Sequence, residues 1–223
     1  MLKELKNGAD VGTTFNRGWE IYKKNFMPLM LATFLTIVIG VLTCGICSAP
    51  LFCGLLSMIL VALRSEGTAL KAGDIFNGFK KFMPAFVSWL VLSTINAAVC
   101  SILLVIPFVG WVAYAVVCCA VTPAVLVWSS LLVADQDASI GDAIATPLKL
   151  VGNKQFWSII LVSFVATLVG GLGAIACGIG MFVTLPFAYC MIAAAYEQAY
   201  SGAAADDGNE TPAIEAGYGS AVS

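Results

Sequence analysis

Histidine is absent from this 223-residue chain, and charged residues make up only 11% of it. The lack of His removes the commonest general base, the usual ligand of haem and most catalytic zinc sites. No Ser, Cys or Lys has an evident base partner, and no glycine-rich phosphate loop or convergent pair of carboxylates occurs. We therefore expect a protein that is not an enzyme and that has no catalytic, cofactor-binding or metal-binding residues.

Apolar residues dominate what is present, at 60% of the chain and a mean hydropathy of +0.95, which is typical of membrane proteins. Three runs, residues 28–63, 83–134 and 156–196, contain no charge, and each is long enough for two membrane-crossing helices. The sequence predicts an all-α polytopic membrane bundle of six transmembrane helices in three helical hairpins. Residues 1–200 form one membrane domain in this interpretation.

Basic and aromatic residues mark the start of each run. Lys23-Lys24-Asn25-Phe26-Met27-Pro28 recurs as Lys80-Lys81-Phe82-Met83-Pro84, and Asn153-Lys154-Gln155-Phe156-Trp157 is a looser version. Bases favour headgroups and aromatic rings favour the interface, so these positions are candidate anchors. The predicted membrane-interface anchors are Phe15, Trp19, Tyr22, Lys23, Lys24, Phe26, Phe79, Lys80, Lys81, Phe82, Lys154, Phe156 and Trp157.

An amphipathic helix is predicted before each hairpin. In the first, Val11, Phe15, Trp19, Tyr22 and Phe26 recur at steps of three or four and share one face. We expect each such helix to lie in the interface with its aromatic face in lipid. Packing of this face on a soluble partner is the alternative.

The order of these features suggests three repeats, at about residues 10–64, 70–134 and 139–200. Each unit ends in a returning span with a proline, namely Pro50, Pro123 and Pro186. Chance similarity among apolar segments is the alternative.

All bases lie in residues 1–24, 64–81 and 149–154, which argues against a nucleic-acid partner. The positive-inside rule then places both termini in the cytoplasm of a bacterial inner membrane. Residues 201–223 are expected to be a disordered cytoplasmic tail.

Few polar residues interrupt the spans. Ser93 and Asn96 share a face and are candidates for a polar lining of a solute path or for hydrogen bonds between helices. Cys44 and Cys47 have the C-x-x-C spacing of redox pairs, although small cysteines also pack in turns. The glycines of residues 170–180 favour close helix packing or a hinge.

Three stretches carry a resemblance to a known family: Trp19-Glu-Ile-Tyr-Lys-Lys-Asn-Phe26, Ile75-Phe-Asn-Gly-Phe-Lys-Lys-Phe82 and Gly180-Met-Phe-Val-Thr-Leu-Pro186. The chain resembles, over residues 14–200, bacterial and archaeal six-span membrane proteins of unassigned function. Among these are proteins similar to the membrane domain attached to some glycerophosphodiester phosphodiesterases. The resemblance implies a non-catalytic membrane module, since the catalytic domain of those phosphodiesterases has no counterpart here.

Two functional hypotheses follow. The first is a non-catalytic scaffold, assembly or lipid-organising subunit that binds membrane lipids and other membrane proteins or further copies of itself. The second is a transporter or channel for a small neutral or amphiphilic solute, which requires a continuous cavity through the bundle.

Overall fold

The structure, a computed structural model, describes residues 9–65, 70–150, 154–175 and 180–201. Every regular element in these ranges is a helix, which confirms the all-α prediction. The predicted tail and the turn of the last hairpin at residues 176–179 lie outside the described residues. In chain order the elements are α1 (Val11–Lys24), α2 (Phe26–Leu42), α3 (Ser48–Arg64), a 3₁₀ helix (Ala72–Lys81), α4 (Phe82–Val105), α5 (Val109–Val116), a π-helical turn (Val117–Val121), α6 (Thr122–Gln136), α7 (Ile140–Leu150), α8 (Lys154–Ile175) and α9 (Met181–Ser201).

The boundary between α1 and α2 lies where the sequence predicts it. Asp10 caps α1 by accepting a hydrogen bond from the Thr13 backbone N–H at 2.9 Å. The chain then bends by 92° between Lys24 and Phe26. Pro28 falls in the first turn of α2, where its missing N–H breaks no helical hydrogen bond.

Membrane-crossing capacity is concentrated in the middle of the chain. By length and composition, Ala72–Val105 and Val109–Gln136 could each cross a membrane, and the bent pair α1 and α2 would be a third span if counted as one. Ser48–Arg64 and Trp157–Gly171 are apolar but shorter. The described residues thus support a helical bundle with two or three candidate spans, and six spans remain a prediction.

The first amphipathic helix packs along α9 and does not project its aromatic face wholly into lipid. The rings of Phe15, Trp19 and Tyr22 surround Phe187 with centroid distances of 5.3, 5.3 and 5.6 Å. Tyr22 is buried, and its hydroxyl donates to the Val183 carbonyl at 2.7 Å. Phe15 and Trp19 remain about 40% exposed. The Tyr22 ring is thus packed on Phe187 within the protein, and its role as an interface anchor stays a prediction.

Contacts at the other end of α1 establish that the two helices run antiparallel. The Asp10 backbone N–H donates to Gln198 at 3.0 Å, and the Gln198 amide donates to Thr13 at 3.1 Å. Because Tyr22 contacts Val183, α1 follows α9 for almost its full length.

The second amphipathic segment forms a 3₁₀ helix that packs against the start of α3. Ile75 is fully buried, and the segment approaches α3 so closely that glycine is needed at both contacts. A Cβ on Gly78 would lie 1.9 Å from the Pro50 carbonyl oxygen, and one on Gly54 would lie 1.9 Å from the Ile75 carbonyl oxygen. The face assigned to lipid is again partly a protein contact.

Helices α3, α6 and α9 supply most of the core. Its largest fully buried side chains include Trp128 and Tyr196, whose rings meet at 5.1 Å. Helices α8 and α9 pack closely at Gly173, where a Cβ would lie 2.1 Å from the Thr184 hydroxyl. Helix α7 folds back onto α4 and α6 with Ala143 buried, so it too packs on protein.

Candidate functional site

A cavity of about 230 Å³ opens between α4, the π-helical turn and α6. Its lining is apolar apart from one amide and one hydroxyl, and Leu148 reaches it from α7. We call it the α4–α6 groove. It is lined by Leu92, Ile95, Asn96, Val99, Val117, Val121, Thr122, Val125, Leu126 and Leu148, none of which carries a charge.

The two polar residues of the groove bind each other. The Thr122 hydroxyl donates to the Asn96 side-chain oxygen at 2.7 Å and so joins α6 to α4. This contact is the interhelical hydrogen bond that the sequence offered as one role for Asn96, and the residue also lines the groove. Ser93 is not among the lining residues, and its hydroxyl donates to the Leu90 carbonyl of its own helix at 2.9 Å.

The π-helical turn in the groove wall has a local cause. Pro123 has no N–H, so the Cys119 carbonyl one turn earlier cannot receive the usual helical hydrogen bond. The Thr122 N–H bonds instead to the Val117 carbonyl, five residues back. Such a turn displaces side chains from the regular helical pattern and often occurs at functional sites. Here it brings Val117, Val121 and Thr122 to one groove wall.

The surface beside the groove is strongly apolar. Of the lining residues, Ile95 and Val99 are about 40% exposed, and the same helix exposes Ile102 and Val105 still more. The groove therefore opens beside large exposed apolar side chains.

A second polar cluster joins the ends of the three core helices. Arg64 of α3 binds both Asp135 of α6 and Glu197 of α9, the latter at 2.9 Å. Tyr196 donates to Asp135 at 3.2 Å and accepts from the Gln136 amide at 2.8 Å. We call this cluster the Arg64 joint. The Asp135 side chain is only 6% exposed, so Arg64 neutralises a charge that would be costly to bury alone.

The Arg64 joint could have been found in the sequence. Arg64, Asp135 and Glu197 each stand near the end of the returning span of one predicted unit. Superposing the units would have placed a base and two acids at equivalent positions. The groove carried no comparable signal, because its lining resembles any other apolar helix face.

The boundary lysines differ in their surroundings. The Lys23 amine lies 5.5 Å from the centre of the Trp19 ring, and the Lys24 amine pairs with Glu20 at 2.8 Å. This hydrogen bond and the Lys24 charge hold the pKa of Glu20 below its usual value. Lys80 is exposed, as a headgroup contact requires.

Lys81 contacts other parts of the protein, and its predicted headgroup role stays a prediction. Its amine pairs with Asp137 at 2.6 Å and donates to the Val133 and Ala134 carbonyls at 3.1 and 2.8 Å. These carbonyls belong to the last turn of α6, where a positive charge is favourable.

The remaining anchors are distributed along the surface. The rings of Phe79 and Phe82 stack at 6.2 Å, and Phe26 meets Tyr22 at 5.4 Å. Trp157 is 66% exposed. The side chains of Lys154 and Phe156 lie outside the described residues.

The bases do not all lie at one level of the bundle. Tyr22, in the last turn of α1 before Lys24, binds Val183, whereas Arg64 binds Glu197. These two positions are 14 residues apart on α9, which corresponds to about 21 Å along the helix axis. The predicted orientation in the membrane counted all bases as one side and therefore stays a prediction.

Cys44 and Cys47 lie in the turn between α2 and α3 as free thiols, the first exposed and the second half-buried. Their redox role stays a prediction. Among the described residues, no group of three or more Cys, Asp or Glu side chains could hold a metal ion.

Neither a protein-family model, nor a curated protein, nor a solved structure matches the chain. The resemblance to the six-span membrane family therefore stays a prediction.

Proposed function

We propose that this protein is a non-catalytic integral membrane protein that binds and organises membrane lipid, with one acyl chain held in the α4–α6 groove. The observation that supports this proposal is the apolar, uncharged lining of the groove beside exposed apolar positions of α4. The Thr122 hydroxyl donates to the Asn96 side-chain oxygen, so this pair presents less open polar surface to the hydrocarbon of a lipid.

The size of the groove also favours an acyl chain. At about 230 Å³ it is smaller than the roughly 300–1,000 Å³ of pockets that enclose drug-sized ligands. A slender chain can occupy a narrow groove and leave its headgroup outside. We do not extend the proposal to transport, since Trp128, Leu131 and Tyr196 fill the space between α3, α6 and α9.

The proposal includes a threefold architecture of six membrane-crossing segments in the cytoplasmic membrane. It is supported by the way in which each amphipathic segment packs on a returning helix: α1 on α9, the 3₁₀ helix on α3, and α7 on α6. The Arg64 joint, built from one residue near each returning-helix end, is consistent with it. Reporter fusions at the α2–α3 turn and at residues 106–108 test the topology. Both sites should report the side opposite to the N-terminus.

Photocrosslinking tests lipid binding. The full chain is placed in liposomes that contain a phospholipid with a diazirine in one acyl chain, and the labelled peptides are mapped after illumination. We expect labelling of peptides that line the groove, including Val99 and Val121. Val99→Phe fills the groove and should reduce labelling of the opposite wall around Val121.

Val105→Phe is the matched control, because Val105 lies on the same helix and is exposed but does not line the groove. This variant should leave labelling around Val121 unchanged. Labelling that follows exposure alone, with equal values for the two variants, would contradict the proposal.

A further inference from the structure

A pair of cysteines lies next to the groove and has no part in the proposed lipid binding. The Cys100 thiol of α4 lies 3.8 Å from the Cys118 thiol of the π-helical turn. Both are free, Cys100 buried and Cys118 half-buried. A disulfide requires the sulfurs to approach to about 2.05 Å, which small side-chain rotations can supply when the helices already lie side by side.

The neighbouring contacts hold the two helices in register at this point. Cys100 is four residues after Asn96, and Cys118 is four residues before Thr122, so the thiols meet one turn beyond the Asn96–Thr122 hydrogen bond. The thiolate is the reactive form of cysteine.

We propose that Cys100 and Cys118 are a modification site that peroxides oxidise to a reversible disulfide. The Cys118 thiolate attacks the O–O bond of hydrogen peroxide, gains one oxygen as a sulfenic acid and releases hydroxide, which takes up a proton to become water. The Cys100 sulfur then attacks the Cys118 sulfur. The S–S bond forms, the S–O bond breaks, and the hydroxyl leaves as a second water with the Cys100 proton.

The balance is complete, since two thiols lose two electrons and two protons and one peroxide becomes two waters. A dithiol reverses the reaction by thiol–disulfide exchange. The new bond would fix α4 to the π-helical turn one helical turn from the groove.

Peptide mapping tests the site in the full chain in liposomes. The protein is treated with hydrogen peroxide, free thiols are alkylated, and the denatured chain is digested with chymotrypsin, which cuts after Trp111 and Tyr114 and separates the two cysteines. We expect a linked peptide pair in the wild type that disappears after dithiothreitol. Intact mass should show two fewer alkylated thiols.

Cys119 provides the matched control. It is the next residue after Cys118, but the thiol contact that the structure describes for Cys100 is with Cys118. Cys100→Ser and Cys118→Ser should each reduce the linked peptides to the untreated background, whereas Cys119→Ser should retain them. Linked peptides that persist in Cys118→Ser, or their absence from peroxide-treated wild type, would overturn the assignment.

Discussion

Helices α4 and α9 are both long and apolar, but they have opposite surroundings. Helix α4 exposes Leu90, Ile102 and Val105, whereas Ala193, Ala194 and Ala195 of α9 have at most 1% exposure. The difference lies in side-chain size. Small residues let α9 approach α1, α3 and α8 closely, whereas large branched residues on α4 suit contact with fluid hydrocarbon. Similar apolarity therefore does not specify which helix is enclosed by protein and which keeps large apolar side chains exposed.

Among changes in the closely packed part of the protein, a substitution at Gly54 should lower stability most. In Gly54→Ala the new methyl would lie 1.9 Å from the Ile75 carbonyl oxygen, a backbone atom that cannot rotate away. We expect the 3₁₀ helix to separate from α3 and the free energy of unfolding to fall by at least about 3 kcal/mol. Thermal unfolding in detergent measures this loss. Gly73→Ala is the control, since a Cβ there meets nothing within 4 Å, and equal behaviour of the two variants would refute the packing argument.

Removal of Arg64 should have the next largest effect. Arg64→Ala leaves Asp135 buried without its base, although partial exposure of Arg64 reduces the cost to about 2 kcal/mol. The expected result is a lower unfolding temperature in detergent. Arg17→Ala removes an exposed base of α1 and should change the unfolding temperature little. If both variants unfold alike, the Arg64 joint does not stabilise the bundle.

A matched alanine pair tests the difference between α9 and α4 directly. Ala195→Leu adds volume at a fully buried position of α9 and should cost about 1–3 kcal/mol. Ala98→Leu adds the same atoms at an exposed position of α4, where lipid or detergent can rearrange, and should be near neutral. Parallel unfolding curves of the two variants decide the matter. Destabilisation by Ala98→Leu would mean that α4 packs against protein.

The polar contact between α4 and α6 should be weaker than the Arg64 joint. Thr122→Val removes the donor to Asn96 and should cost about 0.6 kcal/mol, the mean for hydrogen bonds between membrane helices. The double variant Asn96→Leu with Thr122→Val leaves no unpaired partner and should be close to wild type. A double-mutant cycle measures the coupling. Strict additivity of the two substitutions would exclude the interaction.

The smallest effect should come from a change of pH that protonates Asp10, which caps the start of α1 where this helix contacts α9. Hydrogen bonds from Thr13, chiefly from its backbone N–H, hold the pKa of Asp10 below its usual value. The folded state therefore gains stability above the unfolded pKa of about 4 and loses it as pH falls through the lower folded value. Asp10→Asn keeps a capping oxygen and should reduce this pH dependence. Unfolding of both proteins at pH 3 and pH 6 measures the difference, which should vanish if Asp10 does not cap α1.

Local signals in the sequence predicted the helices and their boundaries well. Lys23, Lys24 and Pro28 mark the α1–α2 junction, because a loss of charge and a first-turn proline act over a few residues. The same reasoning predicts Tyr22 as an interface anchor, and the structure shows its ring packed against Phe187. An amphipathic face indicates that a helix covers something apolar, but it does not distinguish lipid from another helix.

The candidate sites show the same difference between features with a local sequence signal and features that depend on distant residues. Asn96 was recognised as polar at mid-span, yet its partner Thr122 lies 26 residues away and shares no sequence pattern with it. Cys100 and Cys118 read as ordinary small apolar residues until α4 and the π-helical turn are placed side by side. Pro123 could have suggested the irregular turn, because the loss of one N–H is a local effect.

The sequence by itself determined that the chain is helical and membrane-like and where its helices begin and end. These properties depend on composition and on neighbours within a few turns. Only the tertiary structure decided that α1 packs on α9, that Thr122 binds Asn96 and that a groove opens between α4 and α6. Those features depend on atoms brought together from distant parts of the chain, where side-chain size and shape select among partners of equal apolarity.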